Sequence, residues 1–234
     1  MAIVNPPDEN LAAALTRHGV GLHEPQIERL AQYCRLLWEW NEKLNLTRHT
    51  DYDRFVARDL LDALAVADFL EPGERVLDVG TGGGLPGVIL AVVRDDVEIA
   101  LCESMAKKAR AVEDIVRRMG LPVAVLHGRA EDLLGRWRFN TLVIRAVARL
   151  IKLLRWFRPR LQFFDRMLLV KGPSWVEERA EARHHGLLKN LALRRLATYT
   201  IPGSNAESVV LQICPQAKLL PGDRCRLTEW ESRE

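Results

Sequence analysis

Apolar residues recur every three or four positions at Ile27, Leu30, Ala31, Cys34, Leu37, Trp38 and Leu44, a spacing that predicts an amphipathic helix over 27–45. Asn41 and Asn45 continue that face, and two amides at i and i+4 on an apolar stripe need partners, so they either cap backbone or line a pocket. A second helix is predicted from Asp51 to Leu70, closed by the break Glu71, Pro72, Gly73. From residue 75 onward short apolar runs alternate with amphipathic stretches. They predict strands at 75–79, 97–102, 122–126, 139–144 and 166–171, and helices at 86–94, 105–119, 130–135, 147–160 and 174–187. Strand and helix in strict alternation imply a parallel sheet with helices on both faces. The last two runs, 190–200 and 207–214, have no helix between them and meet through Ile201 to Asn205, which predicts an antiparallel hairpin. The expected fold is therefore α/β: a Rossmann-like, mostly parallel sheet at 73–214 with a C-terminal antiparallel hairpin, an N-terminal helical extension at 1–72 and a polar tail at 215–234.

Composition narrows the setting. A chain of 234 residues, 48% of them apolar, can bury one substantial core. No apolar run approaches the roughly 18 residues that suggest a membrane span. Met1 to Asn10 is polar and lacks the apolar stretch of a secretory signal, so a cytoplasmic monomer is expected, with no membrane partner. Cys34, Cys102, Cys214 and Cys225 match neither a zinc pattern nor a redox pair, so no metal is expected. The net charge of +3 is unevenly distributed: residues 136–195 hold 15 Lys and Arg against four acids, a net +11, which leaves −8 for the rest. Such asymmetry suits a polyanion docking on one part of the molecule; solvated helix faces are the alternative.

The candidate chemistry begins at the first strand of the alternating region. Glycine fills five of the eight positions from Gly80 to Gly87, directly after the apolar run Val76, Leu77, Asp78, Val79, and Pro86 stands where a helix begins. Gly82, Gly84 and Gly87 fit the dinucleotide pattern GxGxxG, but the glycine at the strand end is Gly80, and in that frame the sixth position is Leu85. The other frame, Asp78, Gly80, Gly82, Gly84, resembles the first motif of class I S-adenosylmethionine methyltransferases. Glu103 ends the next strand, 23 residues past Gly80, where a carboxylate grips ribose hydroxyls; NAD and S-adenosylmethionine share that need. After the third strand, Gly128, Arg129, Ala130, Glu131 and Asp132 can frame an adenine edge, or simply cap a helix.

Among methyl acceptors, an exocyclic amine is disfavoured because the fourth strand runs into Ile144, Arg145, Ala146, Val147 and not an Asn-Pro-Pro-Tyr motif; Asn5, Pro6, Pro7 lacks the aromatic. Attack through a cysteine is disfavoured because Cys214 precedes Pro215 and does not follow a proline. Arg145 lies at a strand's carboxyl end, where open α/β sheets place their chemistry. A basic site suits an acceptor with no proton to lose, such as guanine N7, and N7 must then be left free of the arginine, which holds O6, a phosphate or the cofactor's carboxylate.

At these residues the chain resembles the rRNA small subunit methyltransferase G family, also called glucose-inhibited division protein B. The likeness spans about residues 27–213: Glu39, Trp40, Asn41 with Leu44, Asn45, Leu46, Thr47; Leu85, Pro86, Gly87; Glu103, Ser104 with Lys107, Lys108; Gly128 to Glu131; Arg145, Ala146; and Lys171, Gly172. The resemblance implies S-adenosylmethionine as cofactor and methyl transfer to guanine N7 in the 530 loop of bacterial 16S rRNA, free or in the 30S subunit. It implies that Gly80, Leu85, Ala130, Glu131 and Arg145 line the cofactor site; with Asp78, Gly82, Gly84 and Glu103 from the strand-end motifs above they make up the expected site, and Arg145 and Lys171 are the expected catalytic residues. Four positions depart from the family pattern: Asp59 stands for a histidine, Ala63 and Ile144 for serines, and Asn140 for an aspartate. They bear on the RNA-facing side more than on the cofactor. A nicotinamide oxidoreductase and a non-catalytic RNA-binding or ribosome-assembly factor are the competing readings.

Overall fold

The computed structural model describes residues 10–203 and 206–218. Asn5 to Pro7, Cys225 and most of the expected polar tail lie outside them. Helices α1 (Leu11–Arg17) and α2 (Glu24–Asn41) lead into an almost unbroken helical run. That run is made of α3 (Tyr52–Arg54), a π-helical turn (Phe55–Leu60) and α4 (Leu61–Ala67). Helix α1 has no counterpart in the expectations above. Its seven residues are too few for a periodic signal, and Asn10 starts it by accepting the amide of Ala13 at 2.9 Å.

The alternating region follows as expected: β1 (Arg75–Val79), α5 (Gly87–Val93), β2 (Glu98–Glu103), α6 (Ala106–Met119), β3 (Ala124–His127), α7 (Ala130–Leu133), β4 (Thr141–Arg145), α8 (Leu150–Phe157), β5 (Arg166–Lys171) and α9 (Trp175–His184). β6 (Leu191–Thr200) and β7 (Glu207–Pro215) close it. The sheet order is β3-β2-β1-β4-β5-β7-β6; β1 to β5 are parallel, and β7 runs antiparallel to both β5 and β6. The hairpin was expected; that its second strand, β7, is the one paired with β5 was not. β7 is buried on both faces from Ser208 to Cys214, whereas β6 is half-exposed and takes the edge. Burial therefore sets the order.

Two helical layers cover the sheet. One apolar cluster joins α1, α2, the 52–67 run, α5 and α6; the other joins α7, α8 and α9 to the opposite face. The expected helix over 147–160 is shorter, because Ala146 takes a left-handed φ of +55° and the chain reaches α8 only at Leu150, passing into a 3-10 turn at Arg158–Phe163. Likewise α2 ends at Asn41, whose side-chain oxygen accepts the amides of Leu46 (2.8 Å) and Thr47 (2.9 Å) and so turns the chain. This is the capping role for Asn41; Asn45 lies beyond the helix and is exposed.

Candidate functional site

The carboxyl ends of β1, β2, β3 and β4 bring the glycine loop, Glu103, Ala130 and Arg145 to one edge of the sheet. After β1 the chain is tied to β2 by the amides of Gly80 and Thr81, which both donate to Cys102 O (2.8 and 3.0 Å). Gly82 has a φ of +59°, and a Cβ built there would meet no atom within 4 Å, so the loop is open on that side. Gly87 is the opposite case: a Cβ would sit 2.2 Å from Leu101 and 2.7 Å from Asp78, and only glycine lets α5 start this close to β1 and β2.

Asp78 is fully buried at the base of the loop. Its Oδ2 accepts Thr81 Oγ1 at 2.5 Å and the Gly87 amide at 2.9 Å, while Oδ1 has no partner among the described residues. Burial, only partly offset by those hydrogen bonds, pushes its pKa up to about 6. Glu103 is nearly as buried, and its two oxygens accept the amides of Gly82 (3.0 Å) and Met105 (2.8 Å). Oε1 also accepts the Ser104 hydroxyl at 3.4 Å, so it is Oε2 that keeps a lone pair for a further donor. Beyond β3, Ala130 is buried at the start of α7, and Glu131 is paired with Arg129 at 2.9 Å. Leu85 is half-buried in the glycine loop. Helix α2 supports this loop from below, with the Tyr33 hydroxyl donating to Gly83 O at 3.0 Å.

The β4 end is built differently. Arg145 Nε donates to Asp62 Oδ2 (2.7 Å) and Nη2 to Asp59 Oδ1 (2.6 Å), both carboxylates coming from the π-helical turn and the helix that follows it. Asp59 passes its other oxygen to His49 Nδ1 (3.0 Å), and Asp62 accepts the Tyr199 hydroxyl from β6 at 2.6 Å. Burial works against the Arg145 charge, but the two carboxylates outweigh it and hold the guanidinium above arginine's ordinary pKa. Burial, then Asp62, raises the Tyr199 hydroxyl above the usual phenol value. Neither His49 nor Tyr199 stood out in the sequence. The pairing of Asp59 with His49 depends on a loop turned back by Asn41, which no local spacing announces.

Lys171, expected as catalytic, lies beside Arg145 in the sheet, but its ammonium is turned inward. It donates to Ala148 O and to the buried Glu178, each at 2.8 Å, and Glu178 also accepts the Leu150 amide at 2.7 Å. Of the four departures from the family pattern, only Asp59 enters this polar cluster. Ala63 and Ile144 are core residues, and Asn140 sits at the far end of β4, where it binds the Arg75 amide (2.9 Å) and Asp165 (3.1 Å). The described cysteines, Cys34, Cys102 and Cys214, are buried free thiols. Among the described residues there is no metal-binding cluster and no helix long and apolar enough to cross a membrane.

Three comparisons bear on this arrangement. The family profile of rRNA small subunit methyltransferase G matches residues 26–202. A ribosomal RNA small subunit methyltransferase G of Rhodopirellula baltica is 50% identical over 83% of this chain and 84% of its own length. Its counterpart from Chromobacterium violaceum is 33% identical over 88% and 97%. Among solved structures, the O-methyltransferase from Bacillus cereus in complex with S-adenosylhomocysteine superposes with a TM-score of 0.57 at 14% identity, covering 87% of this chain and 97% of that one.

Proposed function

The chain belongs to the rRNA small subunit methyltransferase G family, and on that premise we propose that it moves a methyl group from S-adenosylmethionine to guanine N7 in the 530 loop of bacterial 16S rRNA. The residues present fit that cofactor. Asp78 Oδ1, a buried acceptor without a partner among the described residues, suits an ammonium group, and the loop that follows is open at Gly82. Glu103 Oε2 retains a lone pair for a ribose hydroxyl, with Gly80, Gly84, Leu85, Ala130 and Glu131 framing the rest. When bound, the cofactor supplies an activated methyl carbon on positively charged sulfur.

One observation carries the choice of acceptor atom: Arg145, at the end of β4, is locked in its cationic form by Asp59 and Asp62. A fixed cation there suits O6 or a phosphate of the acceptor, and guanine N7 has no proton to surrender, so Arg145 is not asked to act as a base. The work left to the protein is to orient the base and exclude water. Arg145 does the first through its remaining N–H groups. Lys171 contributes at one remove, fixing the Ala148 carbonyl and with it the 146–149 turn beside Gly80.

The RNA backbone is assigned to the α7–α9 face. Exposed Lys152, Arg155, Arg183 and Lys189 lie there, and a cleft of about 460 Å³ is lined by Arg179, Arg183 and Lys189. Phosphate contacts of this kind position the substrate and weaken as salt rises. The test is incubation with labelled S-adenosylmethionine and unmodified 30S subunits or 16S rRNA. Label at a single guanine, with chain scission there after borohydride and aniline, is the expected result. Absence of label in both substrates overturns the reading.

A further inference from the structure

We propose that His49 and Arg145, held on the two oxygens of the Asp59 carboxylate, read the O6 and N1–H edge of the acceptor guanine. The proposal rests on the guanine reading above and goes beyond it by naming how the base is chosen. Asp59 is 1% exposed and touches nothing outside the protein. The two groups it holds reach further: the Arg145 side chain is 16% exposed and that of His49 26%. Any ligand at this end of the site meets the cluster through them.

Their chemistry follows from what Asp59 does to each. A carboxylate paired with arginine is an acceptor, so His49 Nδ1 must carry the proton it donates. In the neutral ring the lone pair is then on Nε2. Arg145 is a donor only, and its Nη1 is not used by Asp59 or Asp62. No partner is recorded among the described residues for either His49 Nε2 or Arg145 Nη1. The pair thus presents an acceptor and a donor on either side of one buried anion. Guanine offers the complement, an O6 acceptor next to an N1–H donor, whereas adenine offers a 6-amino donor next to an N1 acceptor. With Arg145 on O6 and His49 receiving N1–H, N7 stays free. The base must be unpaired to present this edge, as single-stranded loops are.

The loop bearing His49 is fixed where such a role needs it. The His49 carbonyl accepts Trp38 Nε1 at 2.9 Å, and its amide donates to Thr47 Oγ1 at 3.0 Å. Three residues earlier, Leu46 lies against Gly83, so close that a Cβ on that glycine would be 3.2 Å away. The loop therefore rests on the glycine loop itself, and the histidine it carries belongs to the same edge of the sheet.

The experiment compares His49→Ala and His49→Gln with the unaltered protein, on unmodified 30S subunits and in calorimetric titration with S-adenosylhomocysteine. Removing the acceptor lowers kcat/KM for the 30S subunit about 10- to 100-fold, the range for a lost hydrogen bond to a buried partner, and leaves cofactor-product affinity unchanged. His49→Gln, which restores an acceptor oxygen, recovers most of the loss. The proposal is overturned by unchanged turnover in His49→Ala, by His49→Gln behaving like His49→Ala, or by a parallel fall in S-adenosylhomocysteine affinity. An unaltered protein that fails to label guanine N7 at all overturns the underlying reading instead.

Discussion

At the β1–β2 end of the sheet, the polar contacts of the site join residues three, nine and 21 positions apart: Thr81 and Gly87 to Asp78, and Gly82 to Glu103. At the β4 end the contacts of Arg145 and Tyr199 join residues 83, 86 and 137 apart, Arg145 to Asp62 and Asp59 and Tyr199 to Asp62, with His49 to Asp59 the one local pair at ten. The first region uses backbone amides of a loop whose shape glycine permits, so its geometry is local and cheap to build. The second uses three buried charges and a phenol drawn from four elements, and it exists only once the whole fold has closed around them. A cofactor shared by many enzymes can be met by a local device. Selecting one acceptor requires groups that only the tertiary structure brings together.

The comparison breaks first at Arg145. Replacing it with alanine leaves Asp59 and Asp62 buried without their cation, so Arg145→Ala loses methyl transfer and also about 3–5 kcal/mol of stability, measurable by urea unfolding. S-adenosylhomocysteine affinity measured below the unfolding transition falls far less than turnover does, because Arg145 reaches the glycine loop through its charge, which lowers the pKa of Asp78, and not through a hydrogen bond.

Asp78 is the matching test of the other region. Its folded pKa, raised from 3.8 to about 6, means that its contribution to stability is complete below pH 3.8 and is lost as pH rises through about 6. The free protein gains up to about 3 kcal/mol at neutral pH from Asp78→Asn, read as a rise in melting temperature, while cofactor-product affinity falls at least tenfold. In the unaltered protein that affinity falls as pH drops below about 6, since protonation removes the anion that an ammonium group requires. A pH-independent affinity would separate Asp78 from the cofactor's amino group. The smallest effect belongs to Tyr33→Phe, which removes the support under Gly83: about 1 kcal/mol of stability and a few-fold in cofactor-product affinity, with no change in base selection.

How much of this was legible in the amino-acid sequence follows the same division. β1, β2, β4 and β5 are short apolar runs because a parallel sheet buries both faces, and their places were read to within two residues. The glycine loop was legible because its conformation demands glycine. The π-helical turn at Phe55–Leu60 was not, since its composition matches an ordinary helix; its six residues carry Asp59 into the cluster. His49 was passed over for a related reason: it is a lone histidine in a polar loop until Asp59, ten residues on, is seen to face it. Lys171 was legible as a marked residue but not in its role, because Glu178, which holds it, comes from the next helix.

The Tyr199 hydroxyl on Asp62 ties the β4 end to nearly the last strand made. A chain leaving the ribosome exposes Asp78, the glycine loop, Glu103 and Glu131 well before β6 exists. A growing polypeptide can thus shape the glycine loop and its carboxylates early, but completes the charged cluster at the β4 end only when synthesis is nearly finished.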